Sequence, residues 1–126
     1  MDIPVKKQKV AILGASDNPG RYSHKAFVLL REHGHTVIPV HPAGKVIEGV
    51  PSVKSLGEIT EPVDTLTMYV SPNISEKLEN AILQLKPARI IFNPGTENPE
   101  LQRKCAEQGI DVVTACTLVM LRTGQF

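Results

Sequence analysis

Residues 14–25 read GASDNPGRYSHK, between an apolar run and the start of a helical pattern. Gly14 and Ala15 let a backbone come close to a ligand, and Ser16 and Asn18 offer short hydrogen-bonding side chains. Pro19 and Gly20 shape the turn, and the helix that follows would aim unpaired N–H groups and the positive end of its dipole at an anion. Arg21 and Lys25 add charge nearby, with Tyr22 beside them. Main-chain amides plus a cationic side chain are the chemistry of phosphate binding. A tight strand-to-helix turn uses the same residue types for its own geometry, so this turn alone names no ligand.

A second stretch narrows the choice. Nicotinamide dinucleotide sites use G-x-G-x-x-G and place an acid at the end of the second strand to hold the ribose hydroxyls. This chain has GASDNPG, and its second strand ends in VHPAGK, with His41, Pro42 and Lys45 and no carboxylate. A basic strand end suits a further phosphate on the ribose, which NADP and coenzyme A both carry. Val70-Ser71-Pro72 and Asn93-Pro94-Gly95-Thr96 are two more loops of restricted backbone and small side chains. Their main-chain groups can face an adenine or a pantetheine amide, while Ser71, Asn73 and Asn98 also suit helix capping.

Reactive groups are scarcer. Cys116 and His41 both fall at strand ends, on strands expected far apart in the sheet, and Cys105 sits in a helical pattern as a packing residue. Glu97 has no second carboxylate paired with it for acid–base work, and no His/Cys set has metal-ligand spacing. The expectation is a cradle with no catalytic residue and no metal.

The elements that must hold these loops follow from periodicity. VAIL (10–13), TVIPV (36–40), DTLTMYV (64–70), ARIIFN (88–93) and IDVVTA (110–115) have strand length and β-rich composition. Between them lie a helical stripe over 23–33 closed by Gly34 and a helix in SPNISEKLENAILQLK whose Asn73 and Glu76 have capping-box spacing. A third helix starts at Asn98-Pro99-Glu100 and stops at Gly109. Strand and helix alternate, which predicts an α/β protein: a three-layer α/β/α Rossmann-like fold with a five-stranded parallel sheet in the order 3-2-1-4-5. In such a sheet ligands bind beyond the carboxyl ends of the strands, where all four candidate loops fall.

With 126 residues, 41% of them hydrophobic, the chain suits one domain over 1–126, with residues 1–8 as a polar lead-in. Fourteen basic against thirteen acidic side chains leave a net charge of +1, which gives no general pull toward nucleic acid or a membrane surface. Neither a signal-type apolar region nor a membrane-length apolar run is present, and two cysteines call for no oxidising compartment, so the cytoplasm is expected.

Taken together, VAILGAS, NPGRYSHKAFVLLREHGHTVIPVHP, LGEITEPVDTLTMYVSP, NPGTEN and the AEQGIDVV…AC stretch resemble the small stand-alone coenzyme A-binding domains. These are similar to the nucleotide-binding domain of the succinyl-CoA synthetase alpha subunit. The resemblance runs in register from about Lys9 to Met120. It implies bound coenzyme A or an acyl-CoA, with Gly14, Ala15, Ser16 and Asn18 at the pyrophosphate and Pro19, Arg21 and Tyr22 close by. It also implies that His41 to Lys45 meets the adenosine 3′-phosphate, that Val70, Ser71 and Pro72 line the nucleotide, and that Asn93, Gly95 and Thr96 face the pantetheine. The chain departs from the family at His41, where Asn is common, at Asn93, where Gln is frequent, and at Thr114-Ala115, where an Asp-Arg pair is often found. The synthetase's phosphohistidine domain has no counterpart in these residues. The expected role is therefore a binding module for a small-molecule nucleotide, with a protein partner left open. A minimal NADP-binding or acyl-transfer enzyme, or a Rossmann domain acting through protein contacts, are the alternatives.

Overall fold

Five apolar runs pair side by side in a computed structural model that describes residues 6–126; residues 1–5 of the expected lead-in lie outside the described part. The strands are β1 (Lys9–Leu13), β2 (Thr36–Val40), β5 (Thr65–Met68), β6 (Arg89–Phe92) and β7 (Asp111–Thr114), and every pairing among them is parallel. Two short strands, β3 (Val46–Ile47) and β4 (Val50–Pro51), form a separate antiparallel hairpin. Val10, Ala11 and Ile12 of β1 are fully buried because helices cover both faces of the sheet, the circumstance that lets a strand be continuously apolar.

The sheet runs β2-β1-β5-β6-β7. Outside β2, Val53 makes a single parallel bridge to Val40. Counted as a vestigial third strand, it yields the 3-2-1-4-5 pattern, with β7 one strand further on. The 64–70 run expected as the third strand is thus the fourth, and it pairs with β1. The segment that takes the third place is broken by Gly49 and Pro51, and a proline cannot donate to a ladder.

Alternation along β1 divides the core. Val10 and Ile12 pack with Phe27, Leu30 and Leu121 under α1 (Tyr22–Glu32) and α5 (Thr117–Arg122). Ala11 and Leu13 face the other way, joining Leu66, Met68, Ile82 and Leu101 under α3 (Glu79–Leu85) and α4 (Pro99–Glu107). The result is three layers.

Several expected boundaries hold. Gly34 closes α1 at φ +87, and Asn98 caps α4, its side chain accepting the Leu101 N–H at 3.2 Å. The helix after β5 differs. It starts two residues earlier, with Ser71 as N-cap and Pro72 at the first helical position, so Asn73 lies inside the first turn and Glu76 beyond it. It also breaks at Leu78 (φ −103, ψ 8), whose N–H bonds back three residues to Ser75 O, giving α2 (Pro72–Lys77) and α3. The segment after β7 forms α5. No helix among the described residues is long and apolar enough to cross a membrane.

Candidate functional site

From β1 the chain crosses to β2 on one side, and from β5 to β6 on the other. This reversal leaves the carboxyl ends of β1 and β5 adjacent and uncovered, and a cleft of about 610 Å³ opens there. Gly14 makes the two ends meet. It adopts φ +91, and a β-carbon on it would lie 2.9 Å from both Tyr69 O and Val70 Cγ1. Only glycine fits this approach without strain.

The first turn is built by its own polar groups. Gly14 and Ala15 N–H both donate to Val40 O, at 3.3 and 3.1 Å, which ties the turn to the end of β2. Ser16 Oγ accepts the Asn18 N–H at 3.0 Å, and Asn18 Oδ1 accepts the Gly20 N–H at 2.9 Å. Sequence reasoning assigns these four residues to the ligand; the structure gives the two amides and the Asn18 side chain internal work. Donors aimed outward come from the next element. No side chain caps the first turn of α1, and Arg21, Tyr22 and Ser23 at that turn line the cleft. The first amides of an 11-residue helix therefore face the space without an internal acceptor. Arg21 forms no ion pair among the described residues.

Behind the turn lies His24, to which the residue pattern assigns no role. It is 5% exposed, with Nδ1 2.9 Å from Ser16 O and Nε2 2.8 Å from Glu48 Oε1. Both partners are acceptors, so both bonds form only with an N–H on each ring nitrogen. His24 thus links the turn to the β3–β4 hairpin. Glu48 itself sits at φ +49, followed by Gly49 at φ +79, the two left-handed positions of a tight hairpin turn.

The end of β2 forms the second wall. His41 and Pro42 line the cleft, and His41 Nδ1 accepts the Ala43 N–H at 3.0 Å, which leaves Nε2 to carry the proton and donate. Lys54, Ser55 and Leu56 line it as well. The third wall is apolar: Val70 from the loop after β5, Ile74 of α2, Leu78 at the helix break and Ala81 of α3. The i, i+4, i+7 spacing of Ile74, Leu78 and Ala81 reads in the sequence as an ordinary core stripe, and part of that stripe faces the cleft. Ile74 at 48% exposure and Tyr22 at 70% form an apolar rim. Tyr69 also lines the space; burial pushes its phenol up to about 12, so it stays neutral. The Thr67 and Thr117 hydroxyls beside it bond each other at 2.8 Å, and the phenol oxygen makes no well-formed bond of its own.

The structure places other expected residues outside the cleft wall. Pro19 lines a shallow depression on the outer side of α1 with His24 and Glu48. Lys45 Nζ lies 4.0 Å from Asp17 Oδ2, both side chains about half exposed. Ser71 and Pro72 start α2. Asn93 is 3% exposed; its Nδ2 donates to Thr67 Oγ1 and Met68 O, each at 2.8 Å, and its Oδ1 accepts the Thr117 N–H at 2.8 Å. Thr96 Oγ1 donates to Asn93 O at 2.7 Å, and the exposed Gly95 N–H is held by Glu97.

His41 and Cys116 follow the two edge strands of the sheet, roughly 19 Å apart at the usual strand spacing. Burial pushes the Cys105 thiol up to about 11, where it is unreactive. No group of three His, Cys, Asp or Glu among the described residues is placed to hold a metal ion.

A parallel sheet with a cleft at its reversal, a glycine turn and an uncapped helix end define a Rossmann-like α/β domain with an open site at the carboxyl ends of its strands. The chain belongs to the CoA binding domain family, whose model matches residues 8–122. It resembles a solved structure of an uncharacterized protein at 43% identity and TM-score 0.92, covering 97% of this chain and all of the other. A Thermus thermophilus structure is 32% identical over 95% of this chain and 91% of its own, at TM-score 0.86. Among curated proteins, the uncharacterized YneT of Bacillus subtilis (strain 168) is 27% identical over 112 residues, 89% of this chain and 83% of YneT.

Proposed function

We propose that this protein binds coenzyme A or an acyl-CoA in the cleft at the sheet reversal and acts as a non-catalytic binding module. Family membership supports the ligand. The observation that carries the reading is the open first turn of α1 with Arg21, which has no ion pair among the described residues, beside it: backbone donors and a permanent cation suit a pyrophosphate. Ser16 keeps its hydroxyl proton free to join them, since its oxygen is only an acceptor within the turn. The adenosine end lies toward His41 and Pro42, with its 3′-phosphate near the 41–45 turn and Lys54. The base packs against Val70 and the α2–α3 wall, near Ser71 and Pro72. The pantetheine runs toward the 93–96 loop, where Asn93 shapes the loop from below and Gly95 and Thr96 offer backbone. Two free thiols, one of them buried, suit a reducing cytoplasm.

Isothermal titration with CoA, NADP and NAD tests this. CoA binds at micromolar or tighter dissociation constant and the dinucleotides at least tenfold more weakly, and Arg21→Gln weakens CoA about tenfold. Equal or tighter binding of NADP, or no CoA binding, overturns the reading.

A further inference from the structure

Two lysines stand near the end of β2, and their surroundings differ. Lys45 Nζ faces the Asp17 carboxylate at 4.0 Å, so part of its charge is compensated within the protein. Asp17 belongs to the exposed outer side of the first turn, and neither residue lines the cleft. Lys54 lines the cleft and has no ion pair among the described residues.

Its position is also fixed. The residue before it is bridged to β2, with His41 N–H donating to Val53 O at 2.9 Å and Val53 N–H to Pro39 O at 3.0 Å. The Lys54 N–H donates to Glu58 Oε2 at 2.7 Å, while the Lys54 ammonium forms no ion pair with that carboxylate. The lysine stem crosses the 41–44 turn: its Cε lies 3.3 Å from where a β-carbon on Gly44 would be, so the glycine makes room for it. The vestigial strand thus carries a cation across the 41–44 turn at the tip of β2, and Arg21 brings a second to the same cleft from the start of α1. A cleft with two uncompensated cations on different elements suits a ligand with two anionic groups.

Resting on the reading of the cleft as a CoA site, we propose that Lys54, and not Lys45, reads the phosphate on the adenosine ribose and makes the cleft discriminate CoA from dephospho-CoA. The two ligands differ by that one phosphate. A charge-assisted bond from the exposed Lys54 ammonium to that phosphate gives a preference of about tenfold, or 1.4 kcal/mol at 25 °C.

The test is titration of CoA and dephospho-CoA into the wild type, Lys54→Gln, Lys54→Arg and Lys45→Gln, with a thermal melt of each variant to check folding. The wild type prefers CoA about tenfold. Lys54→Gln brings that ratio near one while dephospho-CoA binds almost as in the wild type, and Lys54→Arg restores most of the preference. Lys45→Gln keeps the larger part of it. A loss of preference confined to Lys45→Gln, or shared equally by both glutamine variants, overturns the proposal, as does a wild type that binds both ligands equally. A wild type that binds neither overturns the CoA reading itself, and that result is distinct from all the others.

Discussion

At the scale of single residues the cleft depends on one missing side chain. Gly14 combines a left-handed φ of +91 with backbone and Val70 at 2.9 Å from any β-carbon. Gly14→Ala therefore meets both a conformational and a steric penalty, and the near neighbours include a strand-end carbonyl that cannot move cheaply. We expect a loss of about 2 kcal/mol or more, read as a fall of roughly 5 °C or more in the thermal midpoint, together with weaker CoA binding. A melt within a degree of wild type would show that the turn tolerates the atom. Residue types announced this turn because glycine and short polar residues have few other uses between a strand and a helix. What they did not disclose is the direction of each donor. The Gly14 and Ala15 amides turn to Val40, a partner twenty-five or more residues away in sequence, and no local pattern signals a bond of that range. His24 escaped for the same reason: on a helix it reads as an ordinary polar residue, until the hairpin folds Glu48 onto it.

At the scale of elements, readability follows how local the cause is. Asn98-Pro99-Glu100 marks the start of α4 because cap, ring constraint and dipole all act within one turn. Val53 is one apolar residue in an irregular stretch, and its strand character exists only through β2. That is why the sequence put 64–70 in third place, and why Lys54 and Leu56 went unseen as cleft residues. The opposite end of the same strands gives a pH-dependent contact. His35 leads into β2, is 5% exposed, and its Nδ1 accepts the Gln8 N–H at 3.0 Å just before β1. Burial holds its pKa below the ordinary value of 6.5, with Lys7, His33 and Arg89 pushing the same way. The unfolded chain then takes up the proton first, so this contribution is intact above about pH 6.5 and is lost as pH falls through that value toward the lower folded one. Urea midpoints measured between about pH 7.5 and 5 should fall, and the fall should flatten in His35→Gln, which cannot titrate. Equal slopes in both proteins would remove His35 from the account.

For the molecule as a whole, charge is distributed against its total. A net charge of +1 gives no field to gather an anion from a distance. Around the periphery, cations are matched: Lys9 with Glu61, Arg103 with Glu107, and Lys104 with Glu79 and Glu100. Arg21 and Lys54 have no carboxylate partner among the described residues, and both line the cleft, which has the N-terminal turn of α1 in its wall. Two cations without an internal counter-charge therefore stand at the rim where the sheet reverses. Their potential is screened by salt, because the Debye length shrinks from about 10 Å at 0.1 M to about 3 Å at 1 M. Stability of the free protein rests on two apolar clusters on either side of the sheet, and burial of that kind has no comparable dependence on monovalent salt. Raising sodium chloride from about 0.1 to 1 M should weaken CoA binding by roughly tenfold and move the ligand-free melting midpoint by no more than about two degrees. The stabilisation by CoA at a fixed excess should shrink in step, since at a hundredfold excess over the dissociation constant it amounts to about 2.7 kcal/mol and tracks affinity alone. Affinity indifferent to salt would mean that the apolar wall of Val70, Ile74, Leu78 and Ala81, and not the cationic rim, holds the ligand.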